Sequence, residues 1–287
     1  MLDLISKNVR YYVEKWVFQH YVEQWLYQRD DRDFTKRCNL LNKVWWKFPI
    51  RIGWDESQRQ MYVEDGGGRL YFCRKSRVKR YRRGIEGCLT WLAEQYMLPS
   101  ISFREGDYVI DCGSNVGEIG LWLNRAQKGI RIISVEPAAQ EADCNDLNVH
   151  DGRHETIRKG LWRDEQTLTF YQKAETADSS LFEMEGYTST VSITTTTIES
   201  LVDVYAIPRI RLLKLEAEGA EPEILAGCGR HLDKIDYIAA DCGPERGLKQ
   251  EETATPVINF MLCNNFELVS MKFDRVVCLF RNRNASR

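Results

Sequence analysis

The sequence predicts an α/β protein built on a doubly wound, mostly parallel sheet. Strand-like and helix-like segments alternate from residue 108 towards the C-terminus, and the first strand leads through a glycine-rich turn into a helix. Acidic residues or glycines also stand where several of the strands end. Such alternation is typical of a sheet with helices on both faces, which binds its ligands beyond the carboxyl ends of the strands.

The first 60 residues are predicted to form a helical extension, with the main domain over residues 61–287. Apolar residues recur at helical spacing over residues 2–27, which predicts a long amphipathic helix. Its apolar stripe is rich in Tyr and Trp. Such a stripe suits packing against the main domain, a homodimer contact or peripheral contact with a membrane, and the sequence leaves these alternatives open.

A β-hairpin is predicted next, because apolar segments at 60–63 and 69–72 flank the turn Asp65-Gly66-Gly67-Gly68. A β-rich insertion is expected near 166–197, where the run Thr194-Thr195-Thr196-Thr197 ends a strand before a helix. The remaining predicted strands are 108–112, 131–136, 156–161, 211–216, 236–241, 267–273 and 275–281, and the predicted helices are 117–127, 138–149, 220–232 and 254–264.

Composition excludes several classes of protein. Apolar residues make up 43% and charged residues 29% of the chain, which argues against global disorder. The net charge of −2 gives no general attraction to nucleic acid. Nine cysteines without a C-x-x-C pair indicate reduced core thiols. Neither a membrane span nor a secretory signal is recognisable, so we expect a cytoplasmic protein.

The turn after the first strand of the alternating series is the most informative segment. Gly113 and Gly117 would let backbone approach a ligand, and Asn115 can adopt a left-handed conformation. The helix that follows would aim unpaired amides at the same place. These features predict a site for a nucleotide-type ligand. The alternative is a turn that only closes a strand–helix unit and binds nothing.

Glu136 narrows the class of ligand. It ends the second strand, nineteen positions after Gly117, where its carboxylate can accept hydrogen bonds from ribose hydroxyls. Such an acid suits either NAD or S-adenosylmethionine. Asp111 favours S-adenosylmethionine, because a carboxylate at the start of the turn would repel a pyrophosphate and attract an ammonium group. The spacing of the glycines also differs from G-x-G-x-x-G, and an NAD-dependent oxidoreductase stays as the alternative.

Further residues at strand ends extend this site. In a doubly wound sheet the carboxyl ends of the strands surround one crevice. The residues expected there are Asp111, Glu136, Gly160, Glu216 and Asp241.

Three motifs together resemble those of the FkbM methyltransferases in order and spacing. The usual family forms are D-x-G-A-N-x-G, F-E-P and K-I-D-V-E-G-A-E. This chain has Asp111-Cys112-Gly113-Ser114-Asn115-Val116-Gly117, then Val135-Glu136-Pro137, then Leu213-Lys214-Leu215-Glu216-Ala217-Glu218-Gly219-Ala220-Glu221. The similarity covers residues 84–280. Glu216 is a departure, because the family usually has Asp at that position.

The resemblance implies a Rossmann-like class I methyltransferase fold with seven strands, of which the last is antiparallel. It also implies S-adenosylmethionine as donor and O-methylation of a sugar or polyketide hydroxyl. By the same resemblance, the turn matches the loop that holds the methionine part, and Glu136 matches the ribose-binding acid. The predicted cofactor-binding set is Asp111, Gly113, Ser114, Asn115, Gly117, Glu136, Pro137 and Gly160.

Methyl transfer to a hydroxyl requires alignment of the reacting groups and a proton acceptor. Glu216, Glu218 and Asp241, at two successive strand ends, are the predicted catalytic carboxylates. The same three could hold a divalent metal, although none is predicted. The structural alternatives are helix-dipole stabilisation for Glu218 and Glu221, and a turn for Asp241. No histidine has metal-ligand spacing, and His231 is expected near a helix end.

A basic run begins at Arg74 and ends at Arg83, with seven basic residues in ten positions. Such density favours an anionic partner, for example a glycolipid, a nucleotide sugar, membrane headgroups or RNA, while a solvated loop is the alternative. We expect a glycan or sugar-containing acceptor near this run, from a bacterial surface polysaccharide or its precursor, and no nucleic acid. A small natural product or a nucleic acid as substrate stays open.

Overall fold

The computed structural model describes residues 21–150, 156–173 and 179–285. Most of the predicted N-terminal amphipathic helix lies outside these described residues. The described chain divides into two compact units. The first comprises residues up to Leu70 together with Lys75–Ile85, and the second comprises Tyr71–Arg74 with the described residues from Glu86 onward. The boundary near residue 60 stays a prediction.

The described strands are β1 (Arg51–Asp55), β2 (Gln60–Asp65), β3 (Gly68–Phe72), β4 (Tyr108–Cys112), β5 (Arg131–Val135), β6 (Gly160–Leu161), β7 (Thr167–Gln172), β8 (Ser189–Thr196), β9 (Ile210–Leu215), β10 (Ile235–Asp241), β11 (Pro244–Arg246), β12 (Glu251–Glu252), β13 (Phe266–Lys272) and β14 (Val277–Asn282). The described α-helices are α1 (Glu23–Tyr27), α2 (Asp31–Leu41), α3 (Gly84–Gln95), α4 (Glu118–Ala126), α5 (Ala139–Val149), α6 (Ile198–Val204), α7 (Glu221–Ala226) and α8 (Ala254–Cys263).

The first unit contains α2, β1, β2 and the first three residues of β3. These strands form a sheet in the order β1-β2-β3, which includes the predicted hairpin. Asp30 caps α2, because its side chain accepts the amide of Asp33 at 3.0 Å. Phe34 and Cys38, one helical turn apart, are fully buried. On the same helix, the Asn39 side chain bonds both backbone groups of one β1 residue, which holds α2 against β1.

The second unit is built on a six-stranded sheet in the order β13-β14-β10-β9-β4-β5. β10, β9, β4 and β5 run parallel, and β14 is antiparallel to both neighbours. This confirms the doubly wound, mostly parallel α/β fold with an antiparallel last strand. At the β5 edge, a parallel bridge between Val135 and Ile157 stands where a seventh strand would lie.

Two predicted elements differ from the structure. The strand expected over 156–161 forms only as that bridge and as β6, because Gly160 and Leu161 pair with β8 in a separate sheet. The helix expected over 220–232 divides into α7 and a 3₁₀ helix, Gly229–Lys234. Gly229 has a φ angle of 49°, a left-handed conformation that does not continue an α-helix.

The strand register sets the position of the site. Asp111 of β4 pairs with Lys214 of β9, and Leu215 of β9 pairs with Ala240 of β10. The carboxyl ends of β4, β9 and β10 therefore lie at one level on the same edge. The sequence-predicted acids follow these ends, so the register brings them together.

The cysteines match the expectation of reduced core thiols. All nine are free, and seven of them are buried. None of the helices in the described ranges combines the length and apolar character that a bilayer span requires.

Candidate active site

The turn that follows β4 lies at the centre of the site. Asp111 is fully buried at the end of β4, and α4 begins at Glu118. Between them Gly113, Asn115 and Gly117 have φ angles of 63°, 49° and 86°. The left-handed conformation predicted for Asn115 is therefore confirmed. It belongs to a region that glycine and asparagine adopt more readily than other residues.

The backbone amides of residues 113–117 all donate to acceptors within the protein. Those of Gly113 and Ser114 donate to the Val135 carbonyl at 3.0 and 3.2 Å. The Asn115 amide donates to Oε2 of Glu136 at 2.9 Å, and the next two amides donate to the Asn115 side chain and the Ser114 carbonyl. The free donors that we expect for a ligand are thus not found in these five residues, because the end of β5 supplies three of the acceptors and the turn itself supplies the other two.

Gly113 and Gly117 allow close contacts between neighbouring elements of the protein. A Cβ atom on Gly113 would lie 1.9 Å from the carbonyl oxygen of Glu216, at the end of β9. A Cβ atom on Gly117 would lie 2.4 Å from Cγ2 of Val149, on α5. Close packing of β4 against β9 and of α4 against α5 therefore accounts for both glycines, whereas the sequence favours room for a ligand.

Glu136 follows β5 and is only 6% exposed. Its two carboxylate oxygens accept the amides of Asn115 and Ala138, each at 2.9 Å. Pro137 has no amide hydrogen to donate, so the Glu136 carboxylate accepts the amide of the next residue, Ala138. Burial raises the pKa of Glu136 to about 7, although the two amides oppose the rise. Because a carboxylate has about four acceptor sites, two sites stay open for the predicted ribose contacts.

Ser114 is held by α5. Its hydroxyl accepts a hydrogen bond from Nδ2 of Asn145 at 2.7 Å, and Asn148 donates in the same way to the Val116 carbonyl at 2.7 Å. These contacts give Ser114 a structural role in fixing the turn. Its contact with a cofactor stays a prediction.

Lys214 lies in β9 with its side chain 2% exposed. Its Nζ donates to the carbonyls of Cys112 and Gly113, both at 2.9 Å, and lies 3.1 Å from Oδ1 of Asp111 and 3.2 Å from Oε2 of Glu216. Burial alone would lower the lysine pKa, but the two carboxylates outweigh burial and raise it. Asp111, which we expect to attract a ligand ammonium, therefore already has an ammonium group beside it.

Two of the predicted catalytic acids meet at one guanidinium group. Nη2 of Arg275 donates to Oε1 of Glu216 at 3.0 Å and to Oδ2 of Asp241 at 2.5 Å. Glu216 is partly exposed and Asp241 is buried. Burial raises the pKa of Asp241, and Arg275 opposes that rise. The structure thus brings these two carboxylates together, as their positions at strand ends predict.

Glu218 lies in the turn between β9 and α7, with a φ angle of 49°, and its carbonyl accepts the Ser180 hydroxyl at 3.0 Å. Glu221 closes this turn, because its Oε1 accepts the amides of Ala217 at 3.0 Å and Gly219 at 3.4 Å. These bonds support the structural alternative for Glu221. Within the described ranges, no three His, Cys, Asp or Glu residues are arranged to hold a metal ion. Glu216, Glu218 and Asp241 therefore do not form a metal site in the described structure.

Gly160 lies in β6 of a separate sheet, which corrects its predicted place at a strand end of the main sheet, whereas its contact with a cofactor stays a prediction. It pairs with Thr195 of β8, and a Cβ atom on it would meet the side chain of Ile193 at 3.0 Å. Gly160 therefore allows close packing within the smaller sheet. His231 is buried in the 3₁₀ helix after α7, where its Nε2 lies 2.8 Å from Oδ1 of Asp203.

Sequence reasoning missed four residues of the site. Besides Lys214 and Arg275, these are Tyr96, whose buried ring lies under both cations, and Glu245 of β11. Burial raises the pKa of Glu245 to about 8, and the carboxylate of Asp241 adds to the rise. Lys214 did carry a signal, a lysine between two leucines of a buried strand. The other three residues carry no local signal.

Comparisons with known proteins agree with this architecture. A family model described as "Methyltransferase FkbM domain" matches residues 111–266, slightly more than half of the chain. Methyltransferase 1 of Beauveria bassiana (strain ARSEF 2860) is 24% identical over 169 residues, which cover 50% of this chain and 68% of that protein.

Two solved structures are also similar to the chain. One is methyltransferase FkbM from Methylobacillus flagellatus KT, with 18% identity and a TM-score of 0.44 over 64% of this chain and 45% of that one. The other is TrmK of M. capricolum in complex with S-adenosyl-homocysteine, with 9% identity and a TM-score of 0.38 over 69% of each chain. The chain thus spans less than half the length of the Methylobacillus protein. Because the family model matches more than half of the chain, the chain belongs to the FkbM methyltransferase family.

Proposed function

We propose that this FkbM methyltransferase transfers a methyl group from S-adenosylmethionine to a hydroxyl group. The acceptor in this proposal is a sugar of a bacterial surface polysaccharide or of its lipid-linked or nucleotide-linked precursor. The observation that carries the choice of donor is the hydrogen bonding of the turn after β4, in which the amides of residues 113–117 are all used internally.

This hydrogen bonding disfavours a dinucleotide. Sites for pyrophosphate rely on free backbone amides at a glycine-rich turn and on the helix N-terminus behind it. Here the carbonyl of Val135 and the carboxylate of Glu136 already take three of those amides. A negatively charged phosphate would also have to approach Glu136 itself. An NAD-dependent oxidoreductase is therefore the weaker alternative.

The polar groups beside the turn fit S-adenosylmethionine. Glu136 keeps two acceptor sites for the ribose hydroxyls, and the amides that it binds hold it in place. Three buried or partly buried carboxylates, Asp111, Glu216 and Asp241, face only two cations, Lys214 and Arg275. Carboxylates thus outnumber cations in this cluster, which favours a ligand with a positively charged sulfur.

The acceptor hydroxyl needs a group that takes its proton as the methyl group is transferred. Glu216, Glu218 and Asp241 are the proposed carboxylates for this step. Alignment of the hydroxyl with the methyl carbon is the other requirement, and such orientation can contribute about 7–11 kcal/mol. The donor, when bound, supplies the methyl group itself.

The acceptor is proposed from charge. Within the basic run, Lys79, Arg80, Arg82 and Arg83 are exposed, whereas Arg77 is buried. Exposed basic side chains attract anionic partners over about 10 Å at roughly 0.1 M ionic strength, and farther at lower salt. Surface glycans and their phosphate-linked precursors are such partners. A cytoplasmic location belongs to the same proposal, supported by the buried free thiols.

A methylation assay tests the donor and the acceptor together. The purified chain would be incubated with S-adenosylmethionine and a panel of acidic and neutral glycans, and the products examined for the mass gain of one CH₂ group. We expect methylated glycan with wild type and none with Asp241→Asn. Methylation of RNA or of small natural products alone would contradict the proposed acceptor.

A second variant tests the basic run. Changing Arg80, Arg82 and Arg83 together to Gln should raise the KM for an anionic glycan and reduce its salt dependence, with kcat nearly unchanged. Changing the basic residues Arg29, Lys128 and Arg163, which are exposed and lie outside the run, removes the same charge and serves as the control. Equal KM values in the two triple variants would contradict a role of the run in acceptor binding.

A further inference from the structure

Arg275 lies in the turn between β13 and β14, and its side chain extends to the ends of β9 and β10. A single atom, Nη2, makes both contacts, at 3.0 Å to Glu216 and 2.5 Å to Asp241. Its side chain is 25% exposed, and that of Asp241 is 1% exposed. One donor between two carboxylates of different strands fixes the position of one oxygen of each.

The groups that face this bridge come from every element around it. β9 supplies Lys214 and Glu216, β10 supplies Asp241, β11 supplies Glu245, and the residue after α3 is Tyr96. Burial raises the pKa of Glu245 to about 8, and burial with the nearby carboxylates raises the pKa of Tyr96. Both shifts favour the uncharged forms of these two groups. Arg275 is thus the cation that faces Asp241, while Lys214 faces Glu216 from the other side.

Removal of the guanidinium would leave two carboxylates side by side, of which Asp241 is buried and Glu216 keeps its contact with Lys214. Burial and a neighbouring like charge both favour the protonated form of a carboxyl group. Loss of Arg275 would therefore raise the pKa of Asp241 further, and the pair would titrate as a coupled unit. A protonated carboxyl group cannot accept the proton of a hydroxyl.

We propose that Arg275 is a positioning residue for methyl transfer, which holds Glu216 and Asp241 side by side as ionised carboxylates. This inference rests on the proposed function. In the step concerned, the acceptor oxygen forms a bond to the methyl carbon, and the electron pair of the carbon–sulfur bond stays on sulfur. The hydroxyl proton passes to one of the two carboxylates that Arg275 holds.

The test is the pH dependence of kcat/KM for wild type and three variants. In Arg275→Gln we expect the acidic limb of the kcat/KM profile to shift to higher pH by at least about one pH unit. This is the lower end of the range by which a neighbouring arginine lowers the pKa of a carboxyl group. Arg275→Lys should keep the wild-type limb, because one ammonium group can also bridge two carboxylates. Arg281→Gln is the matched control, since Arg281 lies on β14 and pairs with Glu267 near the surface. Binding of S-adenosylhomocysteine should be equal in all four proteins.

An acidic limb that coincides in Arg275→Gln and wild type would overturn the inference. If Arg275→Gln does not fold, the carboxyl of Asp241 can be titrated in wild type by ¹³C NMR, with Asp241→Asn for assignment. An ionised Asp241 at pH 7 supports the inference, and a protonated one overturns it. If wild type transfers no methyl group, the proposed function fails, whereas the NMR titration still decides the charge state that we assign to Arg275.

Discussion

In the turn after β4, the backbone amides donate to acceptors in the turn itself and at the end of β5, whereas the carboxylates at the ends of β9 and β10 are bound by charged side chains. The turn amides donate to the Val135 carbonyl and to Glu136, which are within about twenty residues. Glu216 and Asp241 instead meet Arg275, which is 59 and 34 residues away along the chain.

This difference suggests different roles for the two halves of the site, one at the ends of β4 and β5 and the other at the ends of β9 and β10. Groups bound by local backbone are fixed in one arrangement, which suits the recognition of a constant cofactor. Carboxylates held by a single guanidinium keep their charge and stay able to exchange a proton, which suits the reaction. Lys214 joins the halves, because its Nζ contacts the turn carbonyls, Asp111 and Glu216.

The largest effect on stability is expected from removing the charge of Lys214. Lys214→Met removes the only cation found within salt-bridge distance of Asp111 among the described residues. A buried charge pair that loses one partner costs about 3–5 kcal/mol of stability. We expect a loss of this size in the free energy of unfolding, measured with urea at pH 7.

The double variant Asp111→Asn, Lys214→Met provides the control for this prediction. It removes both charges, so it should be clearly more stable than Lys214→Met alone. A double variant as unstable as the single one would show that Lys214 acts through packing and not through charge.

The next effect concerns the close approach of the halves at Gly113. An alanine Cβ there would lie 1.9 Å from the Glu216 carbonyl oxygen, on a residue with a φ angle of 63°. Backbone strain and overpacking each cost roughly 1–3 kcal/mol, so we expect Gly113→Ala to lose at least about 2 kcal/mol. Gly66→Ala is the matched control, because nothing lies within 4 Å of its Cβ position. Similar urea midpoints for the two variants would contradict the close approach.

The cofactor half is tested by Glu136→Gln. Loss of the charge should weaken binding of S-adenosylhomocysteine by about 1.5–3 kcal/mol, the range for hydrogen bonds to charged groups. Calorimetric titration measures this directly. Glu105→Gln, an exposed acid before the opposite end of β4, should bind like wild type. An unchanged affinity of Glu136→Gln for S-adenosylhomocysteine would show that Glu136 does not bind the cofactor.

Per pH unit, the smallest effect is the pH dependence of stability at Glu221. Burial raises the pKa of Glu221 from 4.5 to about 7. Between these values the folded state binds more protons than the unfolded state, so this group's stabilising contribution is full below pH 4.5 and is lost as the pH rises through about 7. Relative to Glu221→Gln, wild type should lose up to about 1.4 kcal/mol per pH unit in this window. A difference between the two proteins that does not change from pH 5 to 7 would contradict a buried, proton-binding Glu221.

Most of the fold could be predicted because its signals are local. β4 has the predicted bounds, 108–112, and α4 differs by one residue at each end. The strand–turn–helix pattern and the acids at strand ends depend only on neighbouring residues. The prediction of one strand over 156–161 is wrong, because Gly160 pairs with β8, which lies more than thirty residues away along the chain.

The contacts of the site could be predicted only in part. The positions of Glu136, Glu216 and Asp241 follow from the strand ends. The acceptor of each turn amide, and the fit of Gly113 against Glu216, depend on how two strands approach each other. Arg275 stands in an ordinary turn sequence, Asp274-Arg275-Val276, so its role is visible only once β14 is placed beside β10.

The most direct test of the account is a pair of calorimetric titrations of wild type, one with S-adenosylmethionine and one with NAD. The internally bonded turn predicts saturable binding of S-adenosylmethionine and no measurable binding of NAD. Binding of NAD by the folded chain, without binding of S-adenosylmethionine, would contradict it.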